Sequence, residues 1–263
     1  MRKSNLFSNF FIFLVYVILY LPILTLILYS FNDAIYSMKI SGFSLRWYQT
    51  ALQDGDLWHS TRNSLLLGLC SSTITTFIAA ISTSYFYFYK FKYSNQINQI
   101  IFLLIIVPDI ILAVGLLLLF HLFHIPLGFI TLLIAHITFS LPFSILVLQN
   151  RLRKLPPNLF IACQDLGASD GYAFKKVISP LLKNACLSAW LLNFTLSFDD
   201  VLVSYFIAGP DFQILPLHIY SLIRSGITPE INALCSIVFC LSVVLVSSAY
   251  SLSSKGRKIE TSA

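Results

Sequence analysis

Charge is scarce in this 263-residue chain: Asp, Glu, Lys and Arg make up 11% of it, where soluble domains carry about 25%. That deficit excludes a soluble surface of ordinary size, and no polar segment is long enough to enclose a core of its own. The chain has no G-x-x-x-x-G-K-[ST] loop and so no visible way to bind a nucleotide by itself. It has no repeat period and no low-complexity tract. Cysteine is limited to five residues, and no C-x-x-C occurs. A disulfide framework or structural zinc is therefore excluded in favour of small packing side chains.

What the chain has is hydrocarbon. Hydrophobic residues are 57% of it, and they gather in runs of about 20 residues, enough to cross about 30 Å of bilayer core. These runs predict an all-α polytopic membrane protein, read as one transmembrane domain over 1–263 with six spans near 8–30, 64–89, 98–123, 127–148, 181–208 and 231–253. The first run is too long for a secretory signal and no small-x-small site follows it, so a retained anchor is expected.

Basic residues set the orientation. With the N-terminus inside, only Lys39, Arg46, Arg62 and Arg224 of the 17 Lys and Arg fall in outer loops. This positive-inside asymmetry places both termini in the cytoplasm and makes the net charge of +6 a topology signal, not a nucleic-acid patch. Every cysteine then lies in a span or on the inner side. In the outer loop 31–62 one short surface helix is expected, with Trp47, Tyr48 and Trp58 suited to an interfacial belt. Thr228-Pro229-Glu230 supplies the cap, first-position proline and first-turn acid of a further helix start.

The inner segment 149–180 has its own local logic. Pro156-Pro157-Asn158 stops the fourth span and offers Asn158 as a cap. Leu159, Phe160, Cys163 and Leu166 share one face at helical spacing, and Gly167 stands where helices end in a left-handed residue. Ser169 caps a second short helix through Phe174 and Val177, and Ser179-Pro180 opens the fifth span. Two short helices around a glycine hinge are expected across the cytoplasmic face. By itself the apolar stripe asks for nothing more than packing beneath the spans.

The stretch "ACQDLGAS", followed by Phe174 and Pro180 between the fourth and fifth spans, resembles the EAA loop of binding-protein-dependent ABC importer permeases. "SLRWYQTAL", "IIVPDIILAVGLLLLF", "IAHITFSLPFSILVL" and "FTLSFDDVLVSYFIAGP" extend the likeness over most of the chain, which is similar to the second of the two permease subunits of spermidine/putrescine importers. The resemblance implies a type I ABC importer (EAA-loop) permease fold in a bacterial cytoplasmic (inner) membrane. It implies a second homologous permease, a cytoplasmic ATPase dimer and a periplasmic or extracellular substrate-binding protein as partners, beside membrane lipid. This chain would bind no cofactor and would not be an enzyme, ATP being used by the partner. Carried over by position, Ala162, Asp165, Leu166 and Gly167 would meet the ATPase. The family's leading glutamate falls at Ile161 here. Asp165 then carries the remaining charge contact, or the partner has changed to compensate.

Three acids lie within the spans: Asp109, Asp199 and Asp200. An aspartate at mid-bilayer costs about 2.5–3.5 kcal/mol even on lenient scales, so it faces a partner or water. Asp109 follows Pro108 and suits the cap of a helix restarted after a kink. Asn193, Ser197, Asp200 and Ser204 recur at steps of four, three and four. This spacing puts Asp200 toward a water-filled pathway and Asp199, about 100° around the wheel, toward an adjacent helix or the partner permease. Trp190 joins the stripe, and an aromatic with a carboxylate suits an ammonium. The hydroxyls of "CSSTITTF" are expected to bond their own preceding carbonyls, and His136 to bridge helices.

Other readings are weaker. An intramembrane aspartyl protease needs G-x-G-D, which is absent. A secondary transporter or channel predicts inverted repeats or broken helices in both halves, and the sequence shows neither. Within the permease class, an iron chelate, an opine or a quaternary amine is the alternative substrate.

Overall fold

In a computed structural model the described residues are 6–33, 41–89, 94–156, 158–225, 230–240 and 243, and they are helical apart from short connections and one isolated bridge between Asn32 and Phe43. The helices are α1 (Leu6–Ser30), α2 (Arg46–Gln53), α3 (Gly55–Phe88), α4 (Ser94–Ile106), α5 (Asp109–Leu122), α6 (Phe129–Leu152), α7 (Leu159–Asp165), α8 (Asp170–Ala173), α9 (Ser179–Phe198), α10 (Leu202–Ile207), α11 (Leu215–Ser225) and α12 (Glu230–Cys240). A π-helical turn, Phe174–Ile178, joins α8 to α9. The chain forms two units, Met1–Leu57 with Ile219–Ala263, and Trp58–His218.

In the first unit α1 exposes apolar side chains all round, as a helix in lipid does. α2 is pinned by its aromatic residues. Trp47 is buried and donates its indole N–H to the Asn32 carbonyl at 2.9 Å, and the Tyr48 hydroxyl meets Ser30 Oγ at 2.6 Å and Ser236 Oγ at 3.2 Å. The belt role expected of Trp47 is therefore replaced by a structural one, whereas Trp58 is exposed. The Thr228-Pro229 start lies outside the described residues, as does most of the sixth span beyond Cys240.

In the second unit α6 packs along α9, α5 against α10, and α4 against α6. Leu67, Phe120, Leu132, Val203 and Ile207 form one buried cluster, and Ala79, Ile145, Leu148, Ile178 and Leu182 form another. α3 contributes to both. It begins at Gly55, nine residues before the expected span, so its 34 residues rise about 51 Å and outreach the bilayer core.

Among the described residues four helices are long and apolar enough to cross a membrane singly: Asn9–Ser30, Gly55–Phe88, Phe129–Leu152 and Asp170–Phe198. The third expected span, 98–123, is not one rod. Asn95–Ile106 and Asp109–Leu122 meet at 105°. Pro108 causes the bend: it lacks an N–H, excludes helical geometry from Val107, and itself takes φ −57°, ψ 137°. The fifth expected span, 181–208, also breaks, between Phe198 and Leu202. The first break falls at the kink expected before Asp109; the second occurs where the sequence showed none.

Backbone approaches backbone after α10. A methyl on Gly209 would stand 2.2 Å from the Leu127 carbonyl oxygen, so only glycine fits.

Candidate functional site

The break after α9 is built by its own acids. Asp199 closes α9, its N–H bonded to the Thr195 carbonyl at 3.1 Å. Asp200 turns its carboxylate onto the start of α10: Oδ2 accepts from the Ser204 N–H and Oγ at 2.8 Å each, and Oδ1 from the Val203 N–H at 3.2 Å. Aspartate offers amides an alternative to the helical ladder, which is why the chain stops here and restarts. The step pattern through Asn193, Ser197, Asp200 and Ser204 assumed an unbroken helix, and that premise fails at Asp199–Val201.

Position and exposure follow from the break. Asn193, Ser197 and Ser204 are buried, and the Asp200 side chain is 10% exposed. Asp199 is exposed, as are Tyr205 on α10 and Asp109 at the start of α5. Asp109 is the first residue of α5, with Pro108 at the cap position and no side-chain cap bond. Trp190 is half-buried. Its N–H goes to Thr73 Oγ1 at 3.0 Å and its ring stacks on Phe194 at 5.6 Å, which in turn stacks on Phe198 at 5.7 Å. The stacking takes one face of Trp190, and its bond to Thr73 together with Phe194 against Gly68 packs this ladder on α3.

The polar stripe runs into the bundle, and its hub is His136. Nδ1 meets Ser197 Oγ at 2.7 Å, Nε2 meets Ser204 Oγ at 3.1 Å, and Nε2 stands 3.6 Å from Asp200 Oδ2. Deeper along α9, the Asn193 amide donates to Thr76 Oγ1 at 3.3 Å and Ser144 Oγ at 2.5 Å. Ser71 Oγ donates to Ser197 Oγ at 3.1 Å, and Thr75 Oγ1 meets Ser140 Oγ at 3.4 Å. His136 bridges helices as expected. The α3 hydroxyls do more than expected: besides bonding preceding carbonyls, as Ser72 and Thr73 do with Leu69, they tie α3 to α6 and α9. The signal for this was legible: His136, Ser140 and Ser144 recur at steps of four in a mostly apolar span.

At the other end of the second unit, α7 ends in a Schellman cap. The Ala168 N–H bonds the Cys163 carbonyl at 3.0 Å, the Gly167 N–H bonds the Gln164 carbonyl at 2.8 Å, and Gly167 takes φ +82°. Ser169 caps α8 by accepting from the Tyr172 N–H. Asn158 holds the cap position of α7 but makes no side-chain cap bond. α8 is also not a separate helix, since it runs through the π turn into α9. Phe160 is buried, stacked on Phe88 with centroids 4.1 Å apart, and Leu159 and Cys163 are half-buried. Leu166 leaves that face because it sits at the cap, where it is 89% exposed. Ala162, Asp165 and Gly167 are exposed beside it, and Ile161 is 54% exposed. Tyr89 bonds Asp170, which also accepts from the Gln164 amide at 3.0 Å. The bond to Asp170 is the main cause that pushes the Tyr89 phenol above its ordinary pKa.

A family model described as the binding-protein-dependent transport system inner membrane component matches residues 72–258. The chain belongs to this family. It is an inner-membrane permease of an ABC importer, a multi-pass membrane protein and a transport subunit. The permease is 40% identical over 232 residues to the spermidine/putrescine transport system permease protein PotC of Escherichia coli (strain K12), covering 88% of each chain. It is 35% identical over 227 residues to the putrescine transport system permease protein PotI of the same strain, covering 84% of this chain and 81% of that one. Among solved structures, a bacterial ABC transporter involved in import of the acidic polysaccharide alginate aligns with TM-score 0.69 at 16% identity, over 97% of this chain and 98% of that one. At that identity the likeness speaks for the permease fold alone.

Proposed function

We propose that this permease forms half of the pathway of an ATP-driven, binding-protein-dependent importer of polyamines, spermidine and putrescine. The similarity to PotC and PotI along most of the chain carries this reading. The helix break supports it: Asp199 offers an exposed carboxylate there, suited to an alkylammonium. Asp109 is a second exposed acid in an apolar surround. Of the polar stripe, Asp200, Ser197, Ser204 and Asn193 shape the break from behind, and Trp190 packs its flank. A second permease completes the pathway, and a secreted binding protein delivers substrate to it. Both termini lie in the cytoplasm, and the chain itself binds no cofactor.

A cytoplasmic ATPase dimer is driven against the α7 loop. Leu166, with Ala162, Asp165 and Gly167, presents an exposed patch for that contact, and Ile161 widens it with an apolar side chain in place of an acid. ATP is consumed by that partner.

The test is uptake of radiolabelled putrescine and spermidine in a polyamine-transport-deficient host carrying the complete importer. Saturable uptake competed by unlabelled polyamine, and not by an iron chelate, an opine or a quaternary amine, is expected. No saturable polyamine uptake, or uptake competed by one of those others and not by unlabelled polyamine, contradicts the reading.

A further inference from the structure

Inside the second unit a chain of hydrogen bonds crosses four helices, and its polarity follows from counting protons. Ser204 has a single hydroxyl hydrogen, and it points to Asp200 Oδ2 at 2.8 Å. An ionised carboxylate only accepts, so this hydrogen is committed there. The contact of Ser204 Oγ with His136 Nε2, at 3.1 Å, is then made with the ring as donor. In a neutral imidazole the other nitrogen accepts. Nδ1 therefore takes the hydroxyl hydrogen of Ser197 at 2.7 Å, leaving the Ser197 oxygen to accept from Ser71 at 3.1 Å.

We infer that His136 is a positioning residue for transport: a neutral imidazole with its hydrogen on Nε2, relaying a one-way chain Ser71→Ser197→His136→Ser204→Asp200 that fixes the helix break and hence the acids at it. The inference rests on the reading of that break as the cation site of a polyamine pathway.

The chain does work that packing cannot. Asp200 already receives two amides and a hydroxyl from α10 itself. Those bonds hold the carboxylate to α10 but do not fix α10 relative to α9. His136, on α6 and fully buried, contacts Ser197 on α9 and Ser204 on α10 with its two nitrogens at a fixed separation. An imidazole is rigid, so it acts as a gauge across the break, with Ser71 backing it from α3.

The two nitrogens make the test selective. In His136→Gln the side-chain amide retains a donor near Nε2 and gives up the acceptor near Nδ1. In His136→Asn the acceptor near Nδ1 remains and the donor is lost, and His136→Ala removes both. A lost hydrogen bond to a charged network is worth about 1.5–3 kcal/mol, so His136→Asn and His136→Ala should raise the apparent KM for polyamine uptake about tenfold or more. His136→Gln keeps the bond to Ser204 but breaks the one to Ser197, so it should raise KM by a smaller factor, about three- to tenfold, with Vmax per inserted permease changing less than KM in all three. A purely structural role lowers insertion and leaves KM of the inserted fraction unchanged, and that result overturns the inference.

Nitrogen-15 histidine labelling of the assembled importer, with His136 identified by its loss in His136→Gln, should show a neutral ring protonated at Nε2. A ring protonated at Nδ1, or at both nitrogens, overturns it too, and this readout decides if the variants fail to insert. A raised KM in Asp200→Asn beside an unchanged His136→Asn removes the positioning role and leaves the proposed function standing. Unchanged uptake in both removes the break as the cation site.

Discussion

At the residue scale the two adjacent aspartates divide their labour by exposure. Asp200 spends its carboxylate on α10 and is only 10% exposed, whereas Asp199 is exposed, which suits it to the cation contact proposed above. Helical periodicity turns Asp200 toward the pathway only on the premise of a continuous span, and the break between Phe198 and Leu202 removes that premise. The carboxylates themselves terminate the helix, a tertiary consequence that spacing does not carry. Asp199→Asn should therefore raise the apparent KM for polyamine about tenfold, the loss of one charge contact, with normal thermal stability. Asp200→Asn should lower both uptake and thermal stability in detergent, because the cap of α10 is weakened with it. Equal stability of the two variants contradicts this division. Gly209 gives a purely structural control. Gly209→Ala forces a methyl into the Leu127 carbonyl and should cost about 2 kcal/mol or more, read as a lower thermal midpoint.

At the scale of elements, the local signals on the loop from α7 to α8 were clear where they belonged to backbone conformation. Gly167 at φ +82° and the Ser169 cap follow from residue type alone. Less legible was the exit of Leu166 from its apolar face, since a side chain at the cap no longer follows the helix period. Exposed at 89%, Leu166 can be changed without disturbing the fold. Leu166→Asp should leave insertion intact and abolish co-purification of the ATPase, and retained co-purification with normal uptake contradicts a coupling role. Gly167→Pro should uncouple more broadly, because proline cannot take a positive φ and removes the N–H bonded to Gln164. The bend at Pro108 was signalled by the proline. Its 105° size was not, because a proline removes a bond and sets a local φ while the packing of α5 on α10 and α6 sets the direction.

At the scale of the whole molecule, composition carried the class. With 57% hydrophobic residues and 11% charge, only a helical membrane protein satisfies the backbone polar groups of so many apolar runs. The polar core was harder to see. His136, Ser140 and Ser144 form a stripe within α6, but the α3 hydroxyls that back it read as ordinary span hydroxyls: Thr75 meets Ser140 from 65 positions away, and Ser71 and Thr76 bond Ser197 and Asn193 of α9, 126 and 117 positions away. Only the packed helices show that Ser71 joins the chain through His136 to Asp200, and that Thr76 and Ser144 meet at Asn193. The most direct measurement is ATP-driven accumulation of radiolabelled spermidine in proteoliposomes containing the purified importer, its binding protein and either the natural permease or Asp199→Asn. The account predicts accumulation that requires ATP and the binding protein, with an apparent KM raised about tenfold by the substitution. No spermidine accumulation by the natural permease, or an unchanged KM in Asp199→Asn, would contradict it.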